Sequence, residues 1–414
     1  MHAHISLMSN PTDITIVGGG LTGPTLALAL ANAGLTTTII DGLPRDTLVD
    51  AAFNGRSYAL ALAAQQLLHA IGIWDAVEDH AQPILDIRVS DGHAGAGPSP
   101  LALHFDHAEI EEGPMGYMVE DRYLRHALLD AVDATPEIQV MNGISVVGQT
   151  VGQRAQVHLD DGSMLDTHLI VGADGRQSGT AQRAGIRRNG WGYGQTALVC
   201  AIEHDLPHNG TAHQFFMPEG PLAILPLPGN RCSIVWTETA ENAFAINALD
   251  DASYLEVLHP RFGDFLGEIS LAGRRFTYPL GITIAERLVE DRIALVGDAA
   301  HGVHPIAGQG LNAGYRDIAA LAEVIVDAHR RGEDFGSLLV LERYQQWRRF
   351  DVQTLALATD TFNRLFSNDN PILRMGRDIG LGIVNAIPGL RRGFIREAAG
   401  LTGDLPRLMQ GRPL

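Results

Sequence analysis

The stretch ITIVGGGLTGPTLALALANAGLTTTIID, residues 14–41, decides the fold. Ile14 to Val17 is a short β-branched run, the pattern of a strand buried on both faces. Pro24 to Ala33 is rich in Ala and Leu, has its Pro in the first turn and stops at Gly34, so it reads as a helix. Thr36 to Ile40 is a second strand with Asp41 at its tip. Between the first strand and the helix, Gly18, Gly20 and Gly23 stand in G-x-G-x-x-G spacing. Gly18 permits the tight turn, Gly20 lets a diphosphate approach the backbone, and Gly23 lets helix and strand pack closely. The helix N-terminus offers that diphosphate N–H groups and partial positive charge. Asp41 follows at about the 20 positions where such folds place a ribose-binding acid. The unit predicts a Rossmann-like dinucleotide-binding domain and does not by itself separate FAD from NAD.

The rest of the chain narrows the function. It has 414 residues, 45% hydrophobic and 19% charged, enough for two joined domains. A net charge of −18 repels nucleic acid, so no such partner is expected. All 30 basic residues are Arg, which removes lysine-amine chemistry. Cys200 and Cys232 are the only cysteines and lie far apart, so a redox CxxC pair is excluded. Residues 1–12 do not read as a signal peptide, and no stretch approaches the ~20 apolar residues of a membrane span. A cytoplasmic location is expected, with peripheral membrane contact left open.

Two further motifs lie downstream. Gly172-Ala173-Asp174-Gly175-Arg176-Gln177-Ser178 follows the strand Leu165 to Val171, which pairs as a hairpin with Gln156 to Leu159. Alone, it reads equally well as a β-turn. Gly297-Asp298-Ala299-Ala300-His301 follows the buried strand Ile293 to Val296. It continues through His304-Pro305 and Gly308-Gln309-Gly310-Leu311-Asn312 into a helix that reaches Arg330. A carboxylate at a strand tip can hold a hydroxylated chain, and a helix N-terminus can stabilise developing negative charge. His301 and His304 have no carboxylate cluster beside them, and no metal is expected.

Between about Gly190 and Arg275 short apolar runs alternate with turns, the pattern of a mostly antiparallel sheet. His93 to Pro100 reads as a loop, and the chain from Leu338 onward reads as helical. Within it, Pro371 to Leu414 interleaves seven Arg with apolar residues. That segment suits either an anionic membrane surface or closing helices packed on the first domain.

The three motifs, in this order, resemble the FAD-binding set of the para-hydroxybenzoate-hydroxylase-like flavoprotein monooxygenases. The resemblance implies an α/β fold, a Rossmann-like FAD domain (13–75, 116–188, 280–345) with an inserted, mostly antiparallel substrate domain (76–115, 189–279) and a C-terminal helical region (346–414). It implies that Asp174 serves FAD and NAD(P)H, and that Asp298 contacts the ribityl chain. Pro305 and Gly308 would lie beside the reactive flavin carbon, and Gly310, Leu311 and Asn312 at the pyrimidine edge. Arg56 and Arg122 match the family's flavin-contacting arginines. Phe215, Phe216, Leu225 and Pro226 are candidates for lining the substrate pocket, with sheet core as the competing reading.

The stretches Arg56-Ser57-Tyr58-Ala59-Leu60, Gly116-Tyr117-Met118-Val119-Glu120, Tyr193-Gly194-Gln195-Thr196-Ala197, Gly220-Pro221-Leu222-Ala223-Ile224-Leu225-Pro226 and Thr359-Asp360 are similar to UbiH-type hydroxylases of ubiquinone biosynthesis. That similarity implies hydroxylation of a prenylated phenol with NAD(P)H and O2 through a flavin C(4a)-hydroperoxide, and leaves membership of a ubiquinone-biosynthesis complex open. A flavin-dependent halogenase would need a lysine, a disulfide reductase a cysteine pair, and an NAD-dependent dehydrogenase would leave the third motif unexplained. A non-catalytic FAD-binding accessory subunit of the same biosynthesis, or a related monooxygenase acting on another phenol, stands as the alternative.

Overall fold

The computed structural model describes residues 12–48, 55–93, 97–98, 103–302, 309–349 and 387–414. Its first sheet rests on five parallel strands in the order β20 (Ile293–Leu295), β12 (Met164–Gly172), β1 (Thr12–Val17), β2 (Thr37–Asp41), β9 (Ile138–Asn142). Ile14, Ile16, Ile39, Leu169 and Val171 are all buried on one face, packed with the helix residues Leu26, Leu30, Ile318 and Leu321. On the other face Val17, Ile40 and Ile170 pack against Ala155, Val157 and Leu159 of an antiparallel hairpin. The hairpin β10 (Val146–Val151) and β11 (Ala155–Leu159) joins the first half of β12 antiparallel, and β19 (Val289–Glu290) pairs with β20. Helix α1 (Thr22–Ala31) makes the first crossover and packs on α8 (Gln309–Arg330). It begins two residues before the expected Pro24 start.

The second sheet has three antiparallel strands, β3 (Ser57–Ala61), β8 (Gly116–Glu120) and β4 (Ala81–Ile84). The boundary expected at 115/116 therefore falls where β4 and β8 are hydrogen-bonded together.

The third sheet has ten strands. They are β5 (Asp86–His93), β6 (Gly97–Pro98), β7 (Leu103–Asp106), β13 (Arg188–His204), β14 (Thr211–Met217), β15 (Gly220–Leu227), β16 (Arg231–Thr239), β17 (Ile269–Leu271), β18 (Phe276–Ala285) and β21 (His301–Gly302). All pairs are antiparallel except β14 with β5. The expected loop His93 to Pro100 is partly paired, since Gly92 and His93 face Pro98 and Gly97. One face of this sheet is closed by α6 (Ala240–Asn247) and α7 (Asp251–Phe262). Leu198, Cys200, Phe215, Ile224, Ile234 and Trp236 interlock there with Tyr254, Leu258 and Phe262. The other, inner face meets the three-stranded sheet, where Ala201, Ala212 and Leu227 pack with Ile84, Met115 and Met118.

The remaining helices are α2 (Arg45–Leu48), α3 (Leu62–Ala70), α4 (Asp121–Ala134), α5 (Gly179–Arg183), one over 338–349 and Pro388–Ala398. The chain after Ala398 is mostly irregular, with one 3-10 turn at Arg407–Gln410. The expectation of helix to the end is thus corrected, since Gly400, Gly403 and Gly411 all have positive φ and interrupt it. In the helix Pro388–Ala398, Ile395 is fully buried, Arg391 pairs with Glu109 and Arg396 with Glu112. Arg407 binds Glu323 and Asp327 on α8. These contacts give the basic tail acidic partners within the protein. Ile387, Leu390 and Phe394 are exposed. Residues 371–386, Thr359 and Asp360 lie outside the described residues.

Candidate active site

The three motifs meet at the C-terminal edge of the parallel strands. The amide of Ala173 donates to the Val17 carbonyl at 2.8 Å, and the amide of Val296 to the Gly172 carbonyl at 3.0 Å. A Cβ on Gly18 (φ +117°) would stand 2.3 Å from the Ala173 carbonyl oxygen, and one on Gly23 2.0 Å from the Gly18 carbonyl oxygen. A Cβ on Gly297 would touch Thr22 at 3.3 Å. At Gly18 and Gly23 only glycine allows the backbones to approach so closely.

Gly20 differs. A Cβ there meets nothing within 4 Å, and its residue is exposed. The N-cap of α1, Leu21, makes no side-chain capping bond. An uncapped helix N-terminus behind an open glycine fits a diphosphate, so the residues present suit a dinucleotide. Asp41 sits beside this loop, accepting from the Gly19 amide at 2.6 Å and the Leu43 amide at 2.8 Å.

Asp174 turns inward. Its carboxylate accepts from the Ser178 hydroxyl and from both the amide and the hydroxyl of Thr180 at 2.9 Å, fixing the start of α5. Asp298 turns outward, half-exposed and 3.3 Å from the Arg176 guanidinium. Gly310 and Leu311 form the first turn of α8, and a Cβ on Gly310 would again meet nothing. The buried Asn312 side chain accepts from the Ala61 amide and donates to the Ala59 carbonyl, both at 2.9 Å, tying α8 to β3. Its side chain is thereby engaged in positioning. Pro305 and Gly308 lie outside the described residues.

Arg56 leaves β3 toward the large sheet, its guanidinium 4.7 Å from the centre of the Phe276 ring. Arg122 donates to Glu120 at 2.7 Å. Glu120 also accepts from Arg231 of β16 at 2.7 Å, so one fully buried carboxylate joins the two regions. The four pocket candidates divide by strand alternation. Phe216 and Leu225 point to the inner face. Phe215 belongs to the core under α6 and α7, and Pro226 alternates to that side with Leu222 and Ile224. Phe215 is thereby corrected from pocket lining to sheet core.

Sequence reasoning missed a buried cluster beneath the third motif. Asp317 of α8 accepts from the Gly297 amide at 2.9 Å, His301 Nε2 at 2.6 Å and Arg348 Nε at 2.7 Å. All three side chains are within 3% of full burial. Burial pushes the Asp317 carboxyl up, but His301 and Arg348 outweigh it and hold it below the usual carboxylate range. An acid directly before the apolar run Ile318-Ala319-Ala320-Leu321 of a helix was the available signal. Cys232 is also buried, and burial pushes its thiol up to about 12, which suppresses thiolate chemistry.

Comparisons with known proteins agree with this geometry. The family model described as an FAD binding domain matches residues 11–356. Ubiquinone hydroxylase UbiL of Rhodospirillum rubrum is 46% identical over 409 residues, covering 97% of this chain and 93% of that protein. The 3-demethoxyubiquinol 3-hydroxylase of Escherichia coli is 34% identical, covering 95% of this chain and 100% of that one. Among solved structures, p-nitrophenol 4-monooxygenase PnpA of Pseudomonas putida aligns with a TM-score of 0.78 at 18% identity, covering 95% and 98% of the two chains. This last likeness speaks to the fold.

Proposed function

The chain belongs to the FAD-binding-domain family, and from that premise we propose that it is an FAD-dependent NAD(P)H monooxygenase that hydroxylates the ring of a prenylated phenol in ubiquinone biosynthesis. One observation carries the reading: Gly18, Ala173 and Gly297, from three separate motifs, are packed together at one edge of the parallel sheet. The N-terminus of α1 would hold the diphosphate, Asp41 the ribose and Asp298 the ribityl chain. The start of α8, with Gly310 and Leu311, would meet the pyrimidine edge. Arg56 and Arg122 would contact the flavin from the side of the large sheet. FAD, when bound, supplies two-electron chemistry with NAD(P)H and O2.

The protein's own part is to orient the ring and exclude water. The inner face of the large sheet offers Phe216, Leu225, Val199 and Val235 for that purpose. No described helix is long and apolar enough to cross a membrane. The substrate's tail partitions into lipid, so the exposed Ile387, Leu390 and Phe394 support peripheral membrane contact from the cytoplasmic side. Flotation with anionic liposomes checks this, and a Leu390→Asp/Phe394→Asp variant that floats as well as the parent rejects it.

The test of the function is substrate-stimulated NAD(P)H oxidation by the purified flavoprotein, with mass spectrometry of the product under 18O2. Labelled hydroxyl in a prenylated phenol supports the assignment. Bound FAD without such stimulation would instead support a non-catalytic accessory role in the same pathway, including membership of its protein complex.

A further inference from the structure

Five strands of the large sheet place one residue each in a single row across its inner face. Pairing registers join Phe276 to Val199, Val199 to Val235, Val235 to Ala223 and Ala223 to Gln214. With strands ~4.8 Å apart, the row is about 19 Å long. It opens beside Arg56, whose guanidinium lies over Phe276. The neighbouring positions Leu198, Ile234, Ile224 and Phe215 point the other way, into the core under α6 and α7. Phe276, Val199, Val235 and Gln214 are half-buried, although their strands lie inside a ten-stranded sheet.

Gln214 is the only polar side chain of the five. Its Nε2 is buried and has no hydrogen-bond partner. An unpaired primary amide inside a sheet weakens the fold, and cores ordinarily give such a position to an apolar residue. Gln can make up to four hydrogen bonds and carries no charge. Standing in the row between the apolar Ala223 and Val89, it can select an oxygen acceptor without ionising it.

We propose that Gln214 is the substrate-orienting residue of this protein, its side-chain amide donating a hydrogen bond to a ring oxygen of the aromatic substrate while Ala223, Val235 and Val199 hold the apolar part. The inference rests on the hydroxylase reading above and names the feature that reading left open, the group that recognises the phenol. A site built to hydrogen-bond an oxygen rejects the analogue that lacks it, because the amide is then left unpaired.

The test uses the purified holoenzyme with two probes, 2-geranylphenol and geranylbenzene, titrated through their perturbation of the flavin spectrum. The parent should bind the phenol about tenfold more tightly, the factor that one neutral hydrogen bond carries. Gln214→Met keeps length and removes the amide. Its affinity for the phenol should fall to that for geranylbenzene, whose own affinity should not change. A tenfold preference that persists in the variant overturns the inference, as does an equal loss for both probes. FAD content is measured first. If Gln214→Met does not retain FAD, Gln214→Asn, which withdraws the amide by one methylene, carries the same comparison and the same two overturning results. If the parent binds neither probe, the prenylated-phenol reading falls and the inference falls with it. Binding with an unchanged preference removes the inference alone.

Discussion

The strand-end edge and the inner face of the large sheet are the two working regions, and they are built in opposite ways. At the edge, contacts are made by backbone. Gly18 and Gly23 admit no Cβ, while Gly20 leaves open space above an uncapped helix. At the inner face, contacts are made by side chains, and the row Phe276, Val199, Val235, Ala223, Gln214 draws on five strands. Backbone sites need a few residues in fixed local spacing. Side-chain sites need only a common face, which strands from anywhere in the chain can supply.

The largest effect that tests this contrast comes from the glycines themselves. Gly23→Val would drive a side chain into the Gly18 carbonyl oxygen and should leave little folded protein. At Gly20 a Cβ meets no protein atom within 4 Å, so Gly20→Val should fold with a parent-like circular dichroism spectrum and melting temperature yet bind no FAD. A fully flavin-loaded Gly20→Val would break the assignment of this edge to the diphosphate. If both variants unfolded alike, the contrast between packing glycine and binding glycine would be lost.

How much could be read from sequence follows the same division. The strand-glycine-helix unit at 14–41 was legible because all of its parts are local. The resemblance of the three motifs to one FAD-binding set implied a shared cofactor, and a Cβ on Gly297 would stand 3.3 Å from Thr22 of the first motif. Phe215 and Phe216 were not separable, since adjacent residues on a strand point to opposite faces and nothing local says which face is covered. Asp317 was missed because its partners come from two other places in the chain, Gly297 and His301 from the third motif and Arg348 from a later helix. The 3-10 turn at Arg407–Gln410 was hidden by a helix-like composition.

Asp317 tests whether the backbone edge stands by itself. Asp317→Ala would leave Arg348 and His301 buried without their carboxylate and the Gly297 amide without its acceptor. Removing one partner of such a buried group costs about 3–5 kcal/mol, read as a lower urea midpoint at unchanged slope. FAD affinity should fall with it, because Gly297 leads directly into Asp298. A variant of parent-like stability would show that the cluster is not what fixes the third motif.

His213 and Gln214 sharpen the other half of the comparison, since they are neighbours on β14 facing opposite ways. His213 lies against Phe265, ring centres 4.6 Å apart. Burial first, and Arg88 second, push its pKa from 6.5 down to about 4. A histidine with a lowered folded pKa is neutral in the fold but takes up a proton in the unfolded chain. Its contribution is therefore complete above pH 6.5 and is lost as the pH falls toward 4. The gap corresponds to about 3 kcal/mol. His213→Phe should flatten that part of the stability profile in urea titrations, and an unchanged acid slope would show that burial against Phe265 does not hold His213 neutral.

The smallest effect concerns the one side chain at the edge assigned to the cofactor and turned toward solvent. Asp298 and Arg176 are both more than 40% exposed, and ion pairs of that kind contribute at most about 1 kcal/mol to folding. Asp298→Ala should therefore leave the melting temperature of the FAD-free protein nearly unchanged. A charged hydrogen bond to a bound hydroxyl is worth more, ~1.5–3 kcal/mol, which is at least tenfold in affinity. The two numbers separate the roles. If Asp298 exists to pair with Arg176, then Arg176→Gln and Asp298→Ala should weaken FAD binding equally, since either breaks the pair. If it exists to hold the ribityl chain, only Asp298→Ala should do so, and FAD titrations of the deflavinated proteins decide between the two. Retention of parent affinity in Asp298→Ala would leave Asp41 as the remaining carboxylate assigned to the cofactor at this edge and move the edge further toward backbone contacts, sharpening the contrast with the inner face.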